Sequence, residues 1–460
     1  MASPDLDVAI LGAGPAGVAA ARGLLAEGWR VAVIDPDQPP APRIESLPAN
    51  GLALAHSLGL GPTLAAAGRG HVGAMRLYWR AQPETRSFGP GDAPLLLDRT
   101  VLHAALRDSI PPECLRRGRA RDIRQHDEIV HLEIGGTPIT ARFVVDARGR
   151  AGQRGVAGAG SEIALAFTAR LDGTPDCTML LHALPDGWLW ACTLPDGTLS
   201  GAVFVPATDM AGLDAAARAA RLAGHLGEAG LGPPLEARAG AVVPAMLQMV
   251  QDPFADRRIL RIGDAALARN PIASHGLVHA LRSGAQAAAA VATLLDADGD
   301  DDAARVFIRT SHRNATMAAQ DTTARSLADQ SLHRTAFWSG PATNRPPVQP
   351  TPAPMPDLSQ PLGLLPLRRM PMLADGRISW TEAIWLPRSG RSAARFGGIG
   401  AAELAGFLMP PAPVSVLKAR LEAAFGPRTA RALLQELLGE GALSALAPGR
   451  RGLPAETAHG

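Results

Sequence analysis

The chain has 460 residues, 47% of them hydrophobic, and its 45 Lys and Arg against 43 Asp and Glu give a formal net charge of +2. This length exceeds what one ordinary hydrophobic core holds together, so two or three domains are expected. The balanced charge excludes a strong overall attraction to nucleic acid, and no apolar run reaches the length of a transmembrane helix.

The cysteines and the N-terminal residues narrow the class of protein further. Cys114, Cys177 and Cys192 are widely spaced and no Cys/His cluster occurs, which predicts neither a disulfide framework nor a metal site. The first residues lead almost directly into a strand, without the basic and apolar regions of a secretion signal. We therefore expect a cytoplasmic protein that binds neither nucleic acid nor membrane.

The chain begins with a β-α-β pattern. Residues 7–12 (DVAILG) predict a buried strand, and a helix of small residues follows and stops at Gly28. A second strand (RVAVID) ends at Asp35. Residues 141–149 (ARFVVDARG) and 257–266 (RRILRIGDAA) predict later strands that lead into glycine turns. This order is typical of an α/β domain with a Rossmann-like parallel sheet.

The middle and the C-terminal third have different patterns. Between residues 160 and 250, four strand-like pieces (IALAFTARL, TMLLHAL, GWLWACTLP and LSGAVFVPA) predict an inserted sheet, and a long helical region follows from about 276 to 330. Residues 339–371 are dense in proline and predict a linker or an extended strap, of which we favour the linker. Three short amphipathic helices within 372–450 predict a small, mainly helical C-terminal domain.

The turn after the first strand has the pattern GxGxxG, which is typical of dinucleotide binding when it joins a strand to a helix. Phosphate oxygens then meet free N–H groups at the positive end of that helix. Asp35 closes the second strand, where an acid accepts hydrogen bonds from a ribose hydroxyl. The predicted binding residues in the turn are Gly12, Gly14, Pro15, Ala16 and Gly17.

A second stretch, GDAALARNPIASHGLVHALRSG at 263–284, favours FAD over NAD as the dinucleotide. Asp264 would place a carboxylate against a polyol chain such as ribityl. Pro271, Gly276 and Leu277, at a helix start, would offer N–H groups to the N1–C2=O edge of a flavin, which becomes negative when the flavin is reduced. The alternative is a plain loop that leads into a capped helix.

Three motifs resemble the superfamily of FAD-dependent aromatic hydroxylases, which also contains flavin-dependent halogenases: GAGPAG, VVDARGR at 144–150, and GDAALARNPIASHG at 263–276. The resemblance implies a glutathione-reductase-like FAD domain with an interleaved β-sheet substrate domain. We predict an FAD-binding domain over 1–160 and 251–338, in which part of 43–105 contributes to the substrate side. A substrate domain spans 161–250, a linker 339–371 and a C-terminal domain 372–460.

The same resemblance assigns roles by position. It places Gly12, Gly14 and Gly17 at the pyrophosphate, Asp35 at the adenosine ribose, Asp264 at the ribityl or pyrophosphate, and Gly276 at the flavin edge. Arg99 stands where the family often has an arginine near FAD, although a solvated arginine at a helix start is the alternative. The segment PRIESLPAN at 42–50 resembles a halogenase segment, so Arg43, Glu45 and Ser46 are expected to face the flavin, or else form a polar loop.

The resemblance also implies the chemistry. Reduced FAD activates dioxygen (O2) at C4a and passes one oxygen atom to an electron-rich aromatic ring, while the protein supplies orientation and a dry cavity. His275 and Glu45 are the candidate catalytic groups, and the alternative for His275 is a loop histidine that bonds to backbone. Because residues 155–161 (GVAGAGS) follow no clear strand, a second nucleotide domain is not expected, and electrons come from transiently bound NAD(P)H or from a separate reductase.

Two features argue against halogenation. Halogenases in this superfamily need a lysine near the flavin, and the one lysine here is Lys418 in the C-terminal region. They also carry a W-x-W-x-I-P motif, of which Trp188 and Trp190 keep the tryptophans but not the spacing to proline. These two side chains are expected on one face of a strand, in the substrate pocket or in the core.

The arrangement most resembles flavoproteins that hydroxylate a tryptophan within another polypeptide during formation of quinone cofactors such as cysteine tryptophylquinone. From residue 361 onward there are 12 Lys and Arg against 7 Asp and Glu, which favours docking of an acidic polypeptide such as a small acidic subunit precursor. Two alternatives stay open. One is an enzyme acting on small molecules (an aromatic hydroxylase, a halogenase or a prenyl-reductase-like enzyme), and the other is a flavin-binding assembly factor without turnover.

Overall fold

The structure, a computed structural model, describes residues 4–153, 162–170, 176–231, 238–245, 247–273, 275–339, 356–388 and 391–445. Residues 340–355 of the predicted linker and the GVAGAGS stretch lie outside the described residues. The chain divides into a first unit, Met1–Ala297 with Ile308–Val348, and a second unit, Asp298–Phe307 with Gln349–Gly460.

Ten helices and 27 strands are assigned within the described residues. The helices are α1 Pro15–Ala26, α2 Ala49–Ser57, α3 Gly61–Ala67, α4 Arg99–Asp108, α5 Ala215–Glu228, α6 Gly276–Leu295, α7 Asp301–Ala328, α8 Ala401–Leu408, α9 Val414–Phe425 and α10 Pro427–Glu440. The strands are β1 Leu6–Leu11, β2 Val31–Asp35, β3 Ile44–Leu47, β4 Gly68–His71, β5 Ala74–Tyr78, β6 Glu84–Ser87, β7 Leu95–Asp98, β8 Leu115–Arg117, β9 Ala120–His126, β10 Ile129–Ile134, β11 Thr137–Asp146, β12 Glu162–Arg170, β13 Thr178–Leu184, β14 Gly187–Thr193, β15 Thr198–Pro206, β16 Arg238–Pro244, β17 Gln248–Met249, β18 Phe254–Asp256, β19 Ile259–Arg261, β20 Leu267–Ala268, β21 Gly363–Leu364, β22 Leu367–Ala374, β23 Arg377–Leu386, β24 Arg391–Ala393, β25 Arg395–Phe396, β26 Ile399–Gly400 and β27 Leu443–Ser444.

The first sheet of the first unit has the order β18-β19-β11-β1-β2-β8, and β10 and β9 extend it from β11. Strands β2, β1, β11 and β19 are parallel neighbours, as the Rossmann-like interpretation requires. Their apolar side chains are buried on both faces, as is typical of parallel sheets. The α/β fold class predicted from the sequence is therefore confirmed.

Helices α1 and α6 approach each other closely because small residues line their contact. A Cβ atom built on Gly284 would lie 2.2 Å from the Ala16 carbonyl oxygen, and one built on Gly23 would lie 2.6 Å from the Ala288 Cβ. Only glycine and alanine leave room for this packing. The predicted helical region from 276 to 330 forms α6 and α7, separated by residues 296–300.

A second sheet in the first unit has the order β16-β12-β15-β14-β13-β5-β6. Strands β12 to β15 correspond to the four predicted pieces of the inserted sheet, and β5 and β6 join them from earlier in the chain. One face packs on α5 through a core that includes Leu165, Val203 and Leu222. The opposite face carries Ala164, Trp188 and other residues discussed below.

The second unit has its own core. The predicted amphipathic helices are confirmed as α8, α9 and α10, which bury residues such as Leu404, Leu417 and Leu433. The stretch RISWTEAIWLP forms β23, which pairs with β22 and β24 in a three-stranded sheet. The C-terminal region is thus helical with a small sheet.

The described residues contain neither a membrane-spanning helix nor a metal-binding cluster of side chains. None of these helices combines the length with the apolar character that crossing a membrane requires. No group of three or more His, Cys, Asp and Glu side chains in the same residues is arranged to hold a metal ion.

Candidate cofactor and substrate cavity

A cavity of about 1270 Å³ lies in the first unit, between the carboxyl ends of the parallel strands and the second sheet. Most of the predicted site residues line it, although they come from six separate parts of the sequence. Those residues are Gly12, Gly14, Pro15, Ala16, Asp35, Arg43, Glu45, Ser46, Arg99, Asp264, Pro271, Gly276 and Leu277. The structure therefore brings together everything predicted for the site except Gly17 and His275.

The parallel sheet aligns the strand ends that form one wall of this cavity. The Gly12 amide donates to the Ile34 carbonyl at 2.8 Å, and the Ala147 amide donates to the Leu11 carbonyl at 2.9 Å. The ends of β1, β2 and β11 consequently lie side by side. Ligands of open α/β sheets bind at this edge.

The three glycines of the GxGxxG turn serve different purposes. Gly12 has a φ of +104°, and a Cβ on it would lie 2.7 Å from the Ala147 carbonyl oxygen. A Cβ on Gly17 would lie 2.0 Å from the Gly12 carbonyl oxygen, so Gly17 sits beneath the turn and not on the cavity wall. Gly14 has extended backbone and no atom within 4 Å of its Cβ position. The fold itself therefore leaves room for a side chain at Gly14, and that room belongs to the cavity.

Asp35 is a buried acceptor at the end of β2. Its carboxylate accepts from the amides of Ala13 and Asp37, both at 2.9 Å, and from Arg107 Nη1 at 3.0 Å. The sequence predicted Asp35 but not Arg107, which reaches it from α4. These bonds hold the carboxylate rigidly beside the glycine turn.

Strand pairing brings the arginine of α4 to the predicted Glu45. Strand β3 pairs with β7, whose last residue, Asp98, caps α4 by accepting from the amides of Thr100 and Val101. Helix α4 then begins with Arg99, and its amide donates to the Arg43 carbonyl at 3.0 Å. Arg99 and Glu45, 54 positions apart in sequence, therefore meet at the cavity.

Glu45 is held as an anion between two arginines. Arg99 Nη1 lies 3.1 Å from Glu45 Oε2, and Arg43 Nε donates to Oε1 at 2.8 Å. Burial alone would raise the pKa of Glu45, but the charges and hydrogen bonds of Arg99 and Arg43 lower that pKa to about 2. The Glu45 carboxylate is therefore ionised at neutral pH and suited to electrostatic positioning more than to donating a proton.

Two buried nitrogen atoms of α4 that belong to lining residues have no hydrogen-bond partner within the described part of the chain. They are Arg99 Nε and His103 Nε2, on successive turns of α4. Burial lowers the pKa of His103. The negative charge of Asp35 raises this pKa, and the positive charges of Arg99 and Arg107 lower it further. Buried polar groups normally have partners, so these atoms indicate a polar ligand at this end of the cavity.

Asp264 and Arg150 face each other across the turn that follows β19. Arg150 Nε lies 3.9 Å from Asp264 Oδ2. Burial raises the pKa of Asp264, and the charges of Arg150 and Arg99 oppose that rise. The Asp264 side chain is nevertheless 41% exposed, because it faces the open cavity. A hydroxyl-bearing ligand chain would find its acceptor here.

The start of α6 forms the next part of the wall. Gly276 and Leu277 line the cavity, and no atom lies within 4 Å of the Cβ position of Gly276. His275, the preceding residue, is exposed and is not among the residues that line the cavity. Its predicted catalytic role stays a prediction, whereas the helix N-terminus itself is directed at the cavity.

The second sheet closes the other end of the cavity with an apolar wall. The wall residues from this sheet and the loop after β16, most of them apolar, are Ala164, Ala166, Trp190, Ser200, Gly201, Ala202, Phe204 and Ala245. Trp188 and Phe204 stack with ring centroids 3.7 Å apart, and Trp188 is fully buried. The sequence left open whether the two tryptophans lie in the pocket or in the core. Trp190 lines the cavity, whereas Trp188 belongs to the core.

Comparison with known proteins was made at the level of sequence and of structure. No protein-family model matches the sequence, and no curated protein matches it. Among solved structures, the peptidyl tryptophan dihydroxylase QhpG, essential for tryptophylquinone cofactor biogenesis, superimposes with a TM-score of 0.74 at 22% identity, covering 96% of this chain and 100% of QhpG. The flavin-dependent halogenase CmlS gives 0.73 at 19% identity, with 95% of each chain covered. This chain has the fold of FAD-dependent monooxygenases and halogenases.

A third structure has this fold over a smaller part of the chain. HpxO of Klebsiella pneumoniae, solved with FAD and uric acid, gives a TM-score of 0.56 at 17% identity and covers 70% of this chain. QhpG and CmlS match nearly the whole chain and HpxO does not. The fold of this chain therefore extends beyond the part that it shares with HpxO, as it does in QhpG and CmlS.

The cavity residues fit a dinucleotide such as FAD. Open space lies over Gly14, and Arg99 Nε, His103 Nε2 and the N-terminus of α6 offer polar groups to a ligand there. Asp35 and Asp264 provide acceptors for hydroxyl groups. The cavity volume also exceeds the 300–1,000 Å³ typical of a site for one small ligand, which leaves room for a second molecule at the apolar wall.

Proposed function

We propose that the chain is an FAD-dependent monooxygenase that hydroxylates a tryptophan side chain of a partner polypeptide during formation of a protein-derived quinone cofactor. One observation carries the proposal: a single cavity joins a donor-rich dinucleotide cradle to an apolar wall built from aromatic and small residues. A flat aromatic side chain fits such a wall, and a cofactor in the cradle would lie next to it.

The residues that would hold FAD follow from their chemistry. The amides around Gly14 would bind the pyrophosphate, Asp35 the adenosine ribose, and Asp264 the ribityl chain. The amides of Gly276 and Leu277 would meet the N1–C2=O edge, where the helix end stabilises about half a unit of negative charge. When bound, FAD supplies dioxygen activation for oxygen transfer, with electrons from NAD(P)H or a separate reductase.

The protein's own side chains would orient the substrate and exclude water. Glu45, fixed by Arg43 and Arg99, keeps a constant charge near the cofactor end over the neutral pH range. The apolar wall formed by Ala164, Phe204 and their neighbours removes water from the substrate end, which strengthens every electrostatic interaction inside the cavity. Trp190 offers the aromatic face against which a substrate ring would stack.

A polypeptide substrate is supported by two observations. The structural likeness to QhpG, whose substrate is a peptidyl tryptophan, covers 96% of this chain and so includes the second unit. The region from residue 361 onward carries the excess of basic residues, 12 against 7 acidic ones, that would attract a small acidic polypeptide.

The likeness to CmlS makes halogenation the second candidate. The lysine that halogenation needs is missing from the cavity, because the one lysine of the sequence, Lys418, lies in α9 and pairs with Glu422. No lysine occurs among the described residues that line the cavity. Hydroxylation requires no such residue, so the cavity favours hydroxylation.

Intact-mass spectrometry of co-expressed candidate polypeptides tests the function. We expect one or two added oxygen atoms on a tryptophan of an acidic partner when the chain is present, and none when it is absent. Free tryptophan should not be oxidised. Incorporation of chloride or bromide would favour the halogenase, and oxygen transfer to small indoles or phenols alone would favour a small-molecule hydroxylase. A tightly bound flavin that is not reduced and consumes no oxygen would favour the flavin-binding assembly factor without turnover.

A further inference from the structure

The apolar end of the cavity contains one buried amide side chain, Asn270. Asn270 lines the cavity and is only 8% exposed. It immediately precedes Pro271, so it lies between the apolar wall of the second sheet and the residues predicted to hold the flavin. A side-chain amide has two donor hydrogens and two acceptor lone pairs. Its position on the cavity wall allows this amide to contact a bound ring.

The orientation of this amide is set by two neighbours. The Ile272 amide donates to Asn270 Oδ1 at 3.0 Å, and Asn270 Nδ2 donates to Glu162 Oε2 at 3.2 Å. Since the first partner is a donor and the second an acceptor, the oxygen and the nitrogen of the amide cannot exchange places without losing both bonds. One lone pair and one N–H of Asn270 stay unused by the described residues.

Glu162 is an unusual residue at its position. It is the first residue of β12, and it shares a face of that strand with Ala164 and Ala166, which line the cavity. It is the only carboxylic acid in strands β12 to β15. Burial raises the pKa of Glu162, and the hydrogen bond from Asn270 opposes that rise. Glu162 is half-buried, and a carboxylate among apolar neighbours suggests a function other than packing.

We propose that Asn270 recognises the ring N–H of an aromatic substrate through Oδ1, and that Glu162 is a positioning residue that keeps the Asn270 amide in the required orientation. An indole N–H is a donor without an acceptor function, and the lone pair of Asn270 Oδ1 that the described residues leave unused is a fixed acceptor beside the mostly apolar wall. The substrate class, a ring bearing N–H, rests on the function proposed above. The recognition itself is a binding property that can be measured without turnover.

Binding of indole and benzofuran to the FAD-loaded full chain tests the proposal. The two probes have nearly the same shape, and only indole carries an N–H. Dissociation constants are measured by the change in flavin fluorescence or absorbance. We expect wild type to bind indole about tenfold more tightly than benzofuran, which corresponds to about 1.4 kcal/mol. Asn270→Leu should bring this ratio close to one.

The Glu162 variants separate positioning from general structure. Glu162→Ala removes the acceptor that orients Asn270, so the indole preference should fall as it does in Asn270→Leu. Glu162→Gln keeps an acceptor oxygen for Asn270 Nδ2 and should preserve the preference. Asn314→Leu, the same change at an exposed position of α7, is the matched control and should behave like wild type.

Several results would overturn the proposal. Equal affinities for the two probes in wild type, or no binding of indole at all, would remove the recognition by Asn270. An unchanged ratio of the two affinities in Asn270→Leu would also refute this recognition. Loss of FAD from Asn270→Leu would refute it as well, because Asn270 would then be a cofactor contact. An unchanged ratio in Glu162→Ala would refute the positioning role. Failure to oxidise any polypeptide, with the probe preference intact, would instead refute only the proposed function.

Discussion

The two ends of the cavity, which we propose to hold the cofactor and the substrate, offer a ligand opposite kinds of surface. The cofactor end is charged: Asp35 and Glu45 are each held by arginines, and open space lies over Gly14 at the N-terminus of α1. The substrate end uses shape, with an apolar wall on one face of a twisted sheet and one buried amide, Asn270. We therefore expect a charged ligand at one end and an uncharged ring at the other.

The difference between the ends predicts how each tolerates change. Fixed charges at the cofactor end support one another, so removal of one partner leaves another charge buried and uncompensated. At the substrate end, the wall residues contribute through packing, and their replacement changes the shape of that end of the cavity. The following variants test this contrast, from the largest expected effect to the smallest.

Trp188 and Trp190 differ by two positions on β14, and only one of them is part of the core. Trp188→Ala removes a fully buried ring stacked on Phe204 and should lower the free energy of unfolding by about 3–5 kcal/mol. Trp190→Ala should cost less, because Trp190 borders the cavity. Urea denaturation of both variants measures the difference, and equal losses would contradict the division of roles.

The glycine turn tests the cofactor end. Gly14→Val should reduce FAD affinity at least 100-fold, about 2.7 kcal/mol, because the side chain fills space that the fold leaves open for a ligand. Stability without FAD should change little. Gly89→Val, a similar open position in an exposed loop outside the cavity, is the matched control. Flavin absorbance after titration gives the affinities, and normal binding by Gly14→Val would place the dinucleotide elsewhere.

Glu45 links stability at the cofactor end to pH. Its folded pKa of about 2 lies below the usual value of 4.5, so its ionised form stabilises the protein above pH 4.5 and loses this contribution as the pH falls towards 2. Glu45→Gln should therefore lower the unfolding free energy of the FAD-free protein by about 2–3 kcal/mol at pH 7. As the pH falls from 7 towards 2, the difference in unfolding free energy between wild type and variant should disappear. A difference that does not depend on pH would contradict the lowered pKa of Glu45.

Glu162 should show the opposite and smaller effect. Its pKa is raised by burial, so its contribution to stability is present at low pH and is lost as the pH rises through the folded pKa. Glu162→Gln should thus be slightly more stable than wild type at pH 8 and indistinguishable from it under acid conditions. Thermal denaturation at both pH values checks the sign, and a destabilised variant at pH 8 would show that the charge of Glu162 is compensated.

The sequence was sufficient for those features that depend on neighbouring residues. A strand, a GxGxxG turn and a small-residue helix are local patterns, so the parallel sheet, the turn at Gly14 between a strand and a helix, and the position of Gly276 at a helix start were all predicted correctly. The four strands of the inserted sheet and the three C-terminal helices also follow from local periodicity. In these cases, the period of side-chain burial determines the element.

Only the tertiary structure decided which side chains meet. The Arg99–Glu45 pair depends on the register between β3 and β7, the Arg107–Asp35 pair on the packing of α4 beside β2, and the Glu162–Asn270 pair on the approach of a loop 108 positions away. The exposure of His275 and the core position of Trp188 were likewise open in the sequence. Such contacts join segments distant along the chain, and their distances depend on sheet register and helix packing, which no local pattern encodes.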